Sequence, residues 1–254
     1  MTSYALTDTG VLTGRSLRHI LRSPDTIITT AVTPVALMLL FVYVFGGAID
    51  TGSSEAYIDY LLPGIVLITI ASGVAYTSYR LFLDLQGGLV ERFQSMPITR
   101  SSVLWAHVLT SLVANLVSIA IVVGVALIMG FRTGASVGAW LAVSGILVLF
   151  TLALTWIAVI AGLSAKTVDG ASAFSYPLIF LPFVSSAFVP TDSMPTPVAW
   201  FAEHQPVTAI VDTIRALFAQ QPVGTDIWVA LGWLVAILVV GYAVAVARYR
   251  RRMH

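Results

Sequence analysis

The chain of 254 residues is strongly apolar, with 58% hydrophobic and only 10% charged residues. Soluble domains carry roughly 25% charged residues, so this composition excludes a water-soluble globular protein and indicates that lipid surrounds most of the chain. The net charge of +1 gives no sign of a nucleic-acid partner. Because the chain contains no cysteine, disulfides and thiolate metal sites are excluded as well.

The N-terminal segment 10–22 predicts a short basic amphipathic helix. On a helix, Arg15, Arg18 and Arg22 fall on one side and apolar residues fall on another. Such a helix suits the headgroup layer of the inner leaflet, and the alternative is a charge cluster that only sets the orientation of the chain. Pro24 ends it, because proline disfavours helical geometry in the residue before it. We expect no cleaved signal peptide, since no short apolar run with a cleavage site precedes the first span.

Six later stretches are apolar over a length that can cross a bilayer. A hydrocarbon core of roughly 30 Å requires about 20 helical residues. We therefore predict an all-α integral membrane protein with six transmembrane helices. The predicted spans are residues 27–45, 61–83, 103–129, 137–163, 171–189 and 227–247.

The distribution of basic residues orients these spans. With the N-terminus in the cytoplasm, eleven of the arginine and lysine residues lie on the cytoplasmic side, and only Arg132 and Arg215 lie outside. The first outer loop, residues 46–60, carries three carboxylates and no basic residue. Because basic residues are retained on the cytoplasmic side, both termini are predicted to be cytoplasmic.

The inner loop at residues 84–102 has the pattern of a docking element. A short helix within it would place Leu89 and Phe93 on one face, flanked by the charges of Glu91 and Arg92. Such a helix could project an apolar side chain into a cytoplasmic partner. The alternative is a solvated connector whose charges only keep it in water.

The outer segment at residues 190–226 contains a second amphipathic pattern. Pro206 can occupy the first position of a helix, and apolar residues then recur at the spacing of one helical face. Asp212 and Arg215 lie three residues apart on the wetter side. This helix is expected to lie on the outer leaflet, to dip into it, or to pack over the external mouth of the protein.

Motifs for nucleotide binding, metal binding and hydrolysis are absent from the sequence. No phosphate-binding Gly-rich loop is present, and the single lysine, Lys166, lies in a short inner loop. Neither His-Glu-x-x-His nor Gly-x-Ser-x-Gly occurs. We therefore predict a chain that is not an enzyme and binds no metal. The four histidines are scattered over different segments: His19, His107, His204 and His254.

Ionisable and strongly polar residues within the predicted spans are few. Arg80 and Asp84, four residues apart near the inner end of the second span, can pair with each other. His107 lies near the same surface, and Asn115, near the centre of the third span, is expected to form interhelical hydrogen bonds. No carboxylate lies near the midplane, which argues against a carrier driven by an ion gradient.

Weakly polar side chains are left to form the transport pathway. The spans lack the polar face that an ion channel requires, so the sequence favours a bulky amphipathic or lipid-like cargo over a small ion. An intramembrane enzyme is disfavoured because no nucleophile–base pair is present. The candidate pathway residues are Thr69, Ser72, Tyr76, Ser118, Thr155, Ser175 and Ser185.

Two stretches, residues 84–109 and 177–217, resemble the permease subunits of type-2 ABC exporters. The resemblance is to the daunorubicin-resistance permease branch, which also includes lipo-oligosaccharide exporters of nodulation. The later signature is matched by residues 185–190, 194–195 and 206–208, with Gln205 where the family usually has asparagine. The inner-loop signature is matched by Asp84, Gly88, Glu91, Arg92, Phe93, Ser95, Pro97 and Arg100.

The resemblance implies a single type-2 ABC transmembrane domain over residues 1–254 that works with separate proteins. It implies two ATPase subunits that bind ATP and magnesium, and a second permease copy, with a homodimer favoured over a heterodimer. Residues 10–22 would form a connecting helix that touches the ATPase. In this interpretation the ATPase-coupling residues are Asp84, Gly88, Leu89, Glu91, Arg92, Phe93, Pro97 and Arg100.

The outer segment corresponds to short re-entrant helices that cap the extracellular side in the family. The residues expected at this extracellular gate are Pro190, Pro206, Asp212 and Arg215. The expected function is the export of a hydrophobic or amphipathic compound by a multi-pass protein of the cell membrane. Export of a glycan or glycolipid is the nearest alternative, and an ion-gradient carrier is a more distant one.

Overall fold

The computed structural model describes residues 24–46, 56–87 and 100–252, and over these residues the chain forms helices and no strand. Its α-helices in chain order are α1 Pro24–Leu39, α2 Tyr57–Gln86, α3 Arg100–Met129, α4 Val137–Ser164, α5 Val168–Ala173, α6 Ser175–Phe180, α7 Thr196–His204, α8 Pro206–Phe218 and α9 Asp226–Arg252.

Four of these helices, α2, α3, α4 and α9, are long and apolar enough to cross a membrane. They coincide with the second, third, fourth and sixth predicted spans and extend each of them by one to five residues at one or both ends. The first predicted span corresponds to α1, which contains Pro34 and continues as a π-helical turn at Leu40–Phe45. The all-helical character of the chain is therefore confirmed over the part that the structure describes.

The fifth predicted span, 171–189, is not one continuous helix. It begins within α5, continues as α6 and ends in a 3₁₀ turn at Leu181–Val184. Pro177 and Pro182 lie in this stretch, and each lacks the backbone N–H that a continuing α-helix requires. The helix is therefore broken into short pieces, although the composition of the stretch is as apolar as that of a span.

Helix α2 lies at the centre of the bundle. Residues 61–71 of this helix are all buried, and α2 packs against α1, α3, α4 and α5. A helix that is apolar all round its surface is typically one that other helices cover on every side. The main buried cluster accordingly combines side chains of α2 with those of α3, α4, α8 and α9.

Small residues bring neighbouring segments of the bundle close together at three points. A Cβ atom added at Gly162 of α4 would lie 2.8 Å from the carbonyl oxygen of Ser78 in α2. A Cβ at Gly64 of α2 would lie 2.6 Å from Ala187, and one at Gly241 of α9 would lie 3.1 Å from Trp156. Close packing at small residues is the usual basis of helix association in membranes, where lipid offers no hydrophobic driving force.

Candidate functional site

Helix α8 covers one end of the bundle with its apolar face. It begins at Pro206, as the sequence predicts, and its stripe from Val207 to Phe218 is largely buried. The helix packs against α2, α4 and α9. The apolar face of α8 is therefore covered by other helices of the same chain.

Arg215 joins three separate segments at this end of the bundle. Its Nη1 lies 2.7 Å from Asp212 Oδ1, and its Nη2 donates to the backbone oxygens of Tyr60 at 3.1 Å and Ser186 at 3.0 Å. The guanidinium also lies 3.7 Å from the centroid of the Tyr60 ring. A planar cation with several fixed donors suits such a site, because it can stack and donate in several directions. Helix α8 is thereby linked to the start of α2 and to the turn after the broken fifth stretch.

Asp212 is held from two sides within the same cluster. The hydroxyl of Ser186 donates to Asp212 Oδ1 at 2.7 Å, beside the contact from Arg215. Burial raises the pKa of Asp212, while the hydrogen bond from Ser186 and the charge of Arg215 oppose that rise. The side chains of Asp212 and Arg215 are 34% and 19% exposed, so the pair is only partly shielded from solvent.

Gln205 occupies the position where the resembled family usually has asparagine. Its Nε2 donates to the carbonyl oxygens of Val184 at 2.8 Å and Leu181 at 3.3 Å, and the residue is buried. These carbonyls belong to the 3₁₀ turn, where a helix end leaves acceptors without partners of their own. Thr208 adds a second link, because its hydroxyl accepts from the backbone N–H of Ser186 at 3.3 Å. Sequence reasoning missed this role for Gln205.

The remaining expected gate residue, Pro190, lies in a turn and not on α8. It precedes a 3₁₀ turn at Thr191–Ser193, and its carbonyl oxygen accepts from both the backbone N–H and the hydroxyl of Ser193. The structure therefore brings Asp212 and Arg215 together, places Pro206 at the start of the same helix, and leaves Pro190 in a neighbouring turn.

An open pocket lies beside Arg215. Its volume is about 260 Å³, and Asp59, Arg132 and Arg215 are the charged residues among those that line it. The backbone N–H of Arg132 donates to Asp59 Oδ1 at 3.2 Å, and the hydroxyl of Thr133 donates to the carbonyl oxygen of Phe218 at 2.7 Å. The pocket is thus built between the connection after α3 and the end of α8.

A cluster of polar side chains joins α2, α3 and α4 within the apolar bundle. Ser111 of α3 accepts from Thr77 of α2 at 2.8 Å and lies 3.3 Å from the hydroxyl of Thr155 in α4. Asn115 donates to the Ser111 carbonyl oxygen at 2.9 Å, which is a bond within its own helix. The interhelical hydrogen bonds that were expected of Asn115 are therefore made by Ser111 instead.

Asn115 contacts α2 through its other amide atom. Its Oδ1 is buried and has no hydrogen-bond partner among the described residues. A Cβ atom at Gly73 of α2 would overlap this oxygen, so the two helices meet there with no room for a side chain.

Five of the seven candidate pathway residues are buried within the chain. They lie inside the bundle, and the hydroxyls of four of them bond within the chain. Thr69, for example, donates to the carbonyl oxygen of Ile65 at 2.8 Å, and Ser185 donates to that of Pro182 at 2.6 Å. A hydroxyl in an apolar bundle satisfies its donor most simply on a nearby carbonyl of its own segment. The five are Thr69, Ser118, Thr155, Ser175 and Ser185.

Comparison with known proteins identifies the family. Residues 7–219 match the family described as ABC-2 type transporter. The chain belongs to this family. It is 28% identical over 201 residues to the daunorubicin resistance ABC transporter permease protein of Streptomyces coeruleorubidus, which covers 76% of this chain and 69% of the relative. It is 25% identical over 242 residues to the probable doxorubicin resistance ABC transporter permease protein of Mycobacterium tuberculosis, covering 94% and 87%.

Membership of the ABC-2 family confirms the resemblance inferred from the inner and outer motifs. Together with the four long apolar helices, it makes this ABC-2 permease a multi-pass protein of the cell membrane. The matched range includes the inner loop and most of the outer segment. In the part of the chain that the structure describes, no group of three or more His, Cys, Asp or Glu residues could hold a metal ion.

At the opposite end of the permease, Asp84 takes a partner that the sequence did not predict. Its Oδ2 lies 3.3 Å from Nε2 of His107 in α3. The spacing allows Asp84 to pair with Arg80, but the two form no ion pair, and the Arg80 guanidinium lies 5.8 Å from the centroid of the Tyr76 ring. A cross-helix contact of this kind depends on how two helices pack, which the spacing within one helix does not show.

Most of the expected coupling residues lie outside the described residues. Asp84 is near the end of α2, and Arg100 is the first residue of α3. The short helix expected at 89–95 and the connecting helix at 10–22 also fall outside. The residues concerned are Arg15, Arg18, Arg22, Gly88, Leu89, Glu91, Arg92, Phe93 and Pro97.

Proposed function

We propose that this chain is the membrane permease subunit of an ATP-driven exporter that moves a hydrophobic or amphipathic compound out of the cell. The observation that carries the proposal is the match of residues 7–219 to the ABC-2 family. The relatives named for daunorubicin and doxorubicin resistance support a drug-like cargo. The Streptomyces relative matches over 76% of this chain and the Mycobacterium relative over 94%.

The proposed topology has six transmembrane helices with both termini in the cytoplasm. The four long helices supply four crossings, and α1 and the broken stretch from α5 to Val184 would supply the other two. The asymmetry of basic residues supports the orientation. In this topology α7 and α8 lie on the outer side, and the loop between α2 and α3 faces the cytoplasm.

ATP hydrolysis belongs to a separate protein in this proposal. Two ATPase subunits bind ATP and magnesium, and a second permease copy completes the transporter. The inner loop docks on the ATPase through Leu89 and Phe93, flanked by Glu91 and Arg92, while Arg15, Arg18 and Arg22 form the adjoining connecting helix. At the outer side, Arg215 and Asp212 would act as the gate, because their links to Tyr60 and Ser186 join the cap to the bundle.

The proposal is tested by reconstituting the permease with the ATPase that co-purifies with it. ATP hydrolysis and the movement of doxorubicin, which is fluorescent, are measured in the same proteoliposomes. We expect Phe93→Ala to abolish the stimulation of ATP hydrolysis by the permease, because the apolar docking contact is lost, while the permease remains inserted. Phe201→Ala serves as the matched control, since Phe201 is exposed on α7.

Two results would contradict the proposed function. The first is doxorubicin movement that follows an ion gradient and needs no ATP. The second is full coupled transport by the Phe93→Ala variant, because the proposed function requires the inner loop to dock on the ATPase through Phe93.

A further inference from the structure

The contact between Asp84 and His107 lies where two long helices enter and leave the inner loop. Helix α2 ends at Gln86 and helix α3 begins at Arg100. Asp84 is in the last turn of α2, and His107 is two turns into α3, with 3.3 Å between Oδ2 and Nε2. This contact therefore joins the two helices that bracket the proposed docking element.

The choice of partner shows that the contact depends on helix packing. Arg80 is available to Asp84 one turn away on the same helix, yet the carboxylate faces the imidazole of the neighbouring helix. The His107 side chain is 13% exposed and the Asp84 side chain is 34% exposed, so the pair lies at the edge of the bundle and not in open solvent.

The helix ends beside this pair also pack against two further helices. Leu81 of α2 and Leu104 and Val108 of α3 form a buried cluster with Trp156 of α4 and Tyr249 of α9. Tightly packed interiors have low compressibility and transmit displacement. A displacement of the joined ends of α2 and α3 would therefore reach α4 and α9 as well.

We propose that His107 is a positioning residue for the coupling of ATP hydrolysis to transport. By its contact with Asp84 it holds the ends of α2 and α3 together, so that movement imposed on the inner loop reaches the helix bundle. The proposal rests on the proposed function, because it requires a separate ATPase that acts on this loop. Without the contact the loop still docks, but its movement is absorbed by separation of the two helix ends.

The test compares two substitutions of His107 in proteoliposomes that contain the permease and its ATPase. His107→Leu removes the polar contact, whereas His107→Gln keeps an N–H donor of similar reach. The measured quantity is doxorubicin moved per ATP hydrolysed. We expect this ratio to fall by about 3- to 30-fold in His107→Leu, the range over which residues in a coupling network act. The Gln variant should stay within about twofold of the unaltered protein, because the contact is retained.

A reciprocal exchange tests whether the contact itself matters. Asp84→His and His107→Asp should each lower the ratio, and the double variant should restore it, because the pair is rebuilt with its ends exchanged. A direct contact of Asp84 with the ATPase would not be restored in this way. His204→Leu is the matched control, since His204 is an exposed histidine on α7, outside this end of the bundle.

The outcomes separate this proposal from the proposed function. If the unaltered protein moves no doxorubicin with ATP, the proposed function fails. If the unaltered protein is active and His107→Leu keeps its ratio, or the double variant does not recover, the role of His107 is overturned. The role is also overturned if doxorubicin transport by His107→Leu falls only in proportion to the amount of folded protein, measured by size-exclusion fluorescence. In that case transport and ATP hydrolysis fall together and their ratio is unchanged, which indicates a purely structural role.

Discussion

Arg215 shows how one side chain can fasten a short helix, α8, to a membrane bundle. It contacts Asp212 on its own helix, the backbone of Tyr60 on α2 and the backbone of Ser186 in the turn after the fifth stretch. The stacking on Tyr60 adds a cation–π contact to these hydrogen bonds. A lysine in its place would offer a compact charge without the planar set of donors.

At this position we predict that Arg215→Gln lowers the free energy of unfolding by about 1–3 kcal/mol, because donors to partly buried acceptors are lost. Thermal unfolding in detergent or nanodiscs measures the change. Glu203→Gln is the control, since Glu203 is an exposed charged residue on α7. An Arg215→Gln variant as stable as the control would show that the cap is held by its apolar stripe alone.

At the scale of the helices, a glycine allows a close contact between two of them because it has no side-chain atoms. The meeting of α2 and α3 at Gly73 and Asn115 leaves no space for a Cβ atom, whereas Gly124 of α3 has no other heavy atom within 4 Å of such a position. The two glycines are equally helical, so their helix propensities alone do not distinguish them. The two positions differ only in the atoms that surround them.

The contrast between these glycines makes a second prediction. Gly73→Ala should destabilise the protein, because the methyl group displaces Asn115 from its bonds with Ser111. Gly124→Ala should stabilise it by up to about 1 kcal/mol, the helix-propensity difference between glycine and alanine. Thermal unfolding of both variants tests this. Adding Asn115→Ala to Gly73→Ala should recover part of the loss, and equal behaviour of Gly73→Ala and Gly124→Ala would contradict the packing.

The fifth stretch shows that an apolar composition does not ensure a continuous helix. The stretch is as hydrophobic as a span, but it divides into α5, α6 and a 3₁₀ turn. Its free carbonyls are bonded by Gln205, which comes from the start of α8. The break and α8 therefore stabilise each other, and the later motif of the sequence is a tertiary contact between two segments.

For the whole molecule, the orientation in the membrane is directly testable because the chain has no native cysteine. A membrane-impermeant maleimide should label Ser193→Cys in intact cells and Arg251→Cys only after permeabilisation. Both positions are exposed in the structure, so access to the thiol depends on the side of the membrane. Labelling in the reverse pattern would contradict cytoplasmic termini and place α8 on the inner side.

Composition and local periodicity determined much of this protein without its fold. The apolar content required a membrane, the long apolar stretches predicted α2, α3, α4 and α9, and the spacing after Pro206 predicted α8. These properties depend on residues close in the chain, since a helix forms from local hydrogen bonds and an apolar face from a local repeat. The motifs of the inner loop and the outer segment likewise indicated the family from the sequence alone, and the family match confirms it.

The tertiary structure decided which side chains meet. Asp84 takes His107 and not Arg80, Ser111 and not Asn115 bonds across helices, and five of the seven side chains expected along a pathway are buried in the bundle. Each of these outcomes depends on distances between helices that are far apart in the chain. Within a single helix the spacing allows several partners of similar reach, and only the packing of neighbouring helices selects one of them.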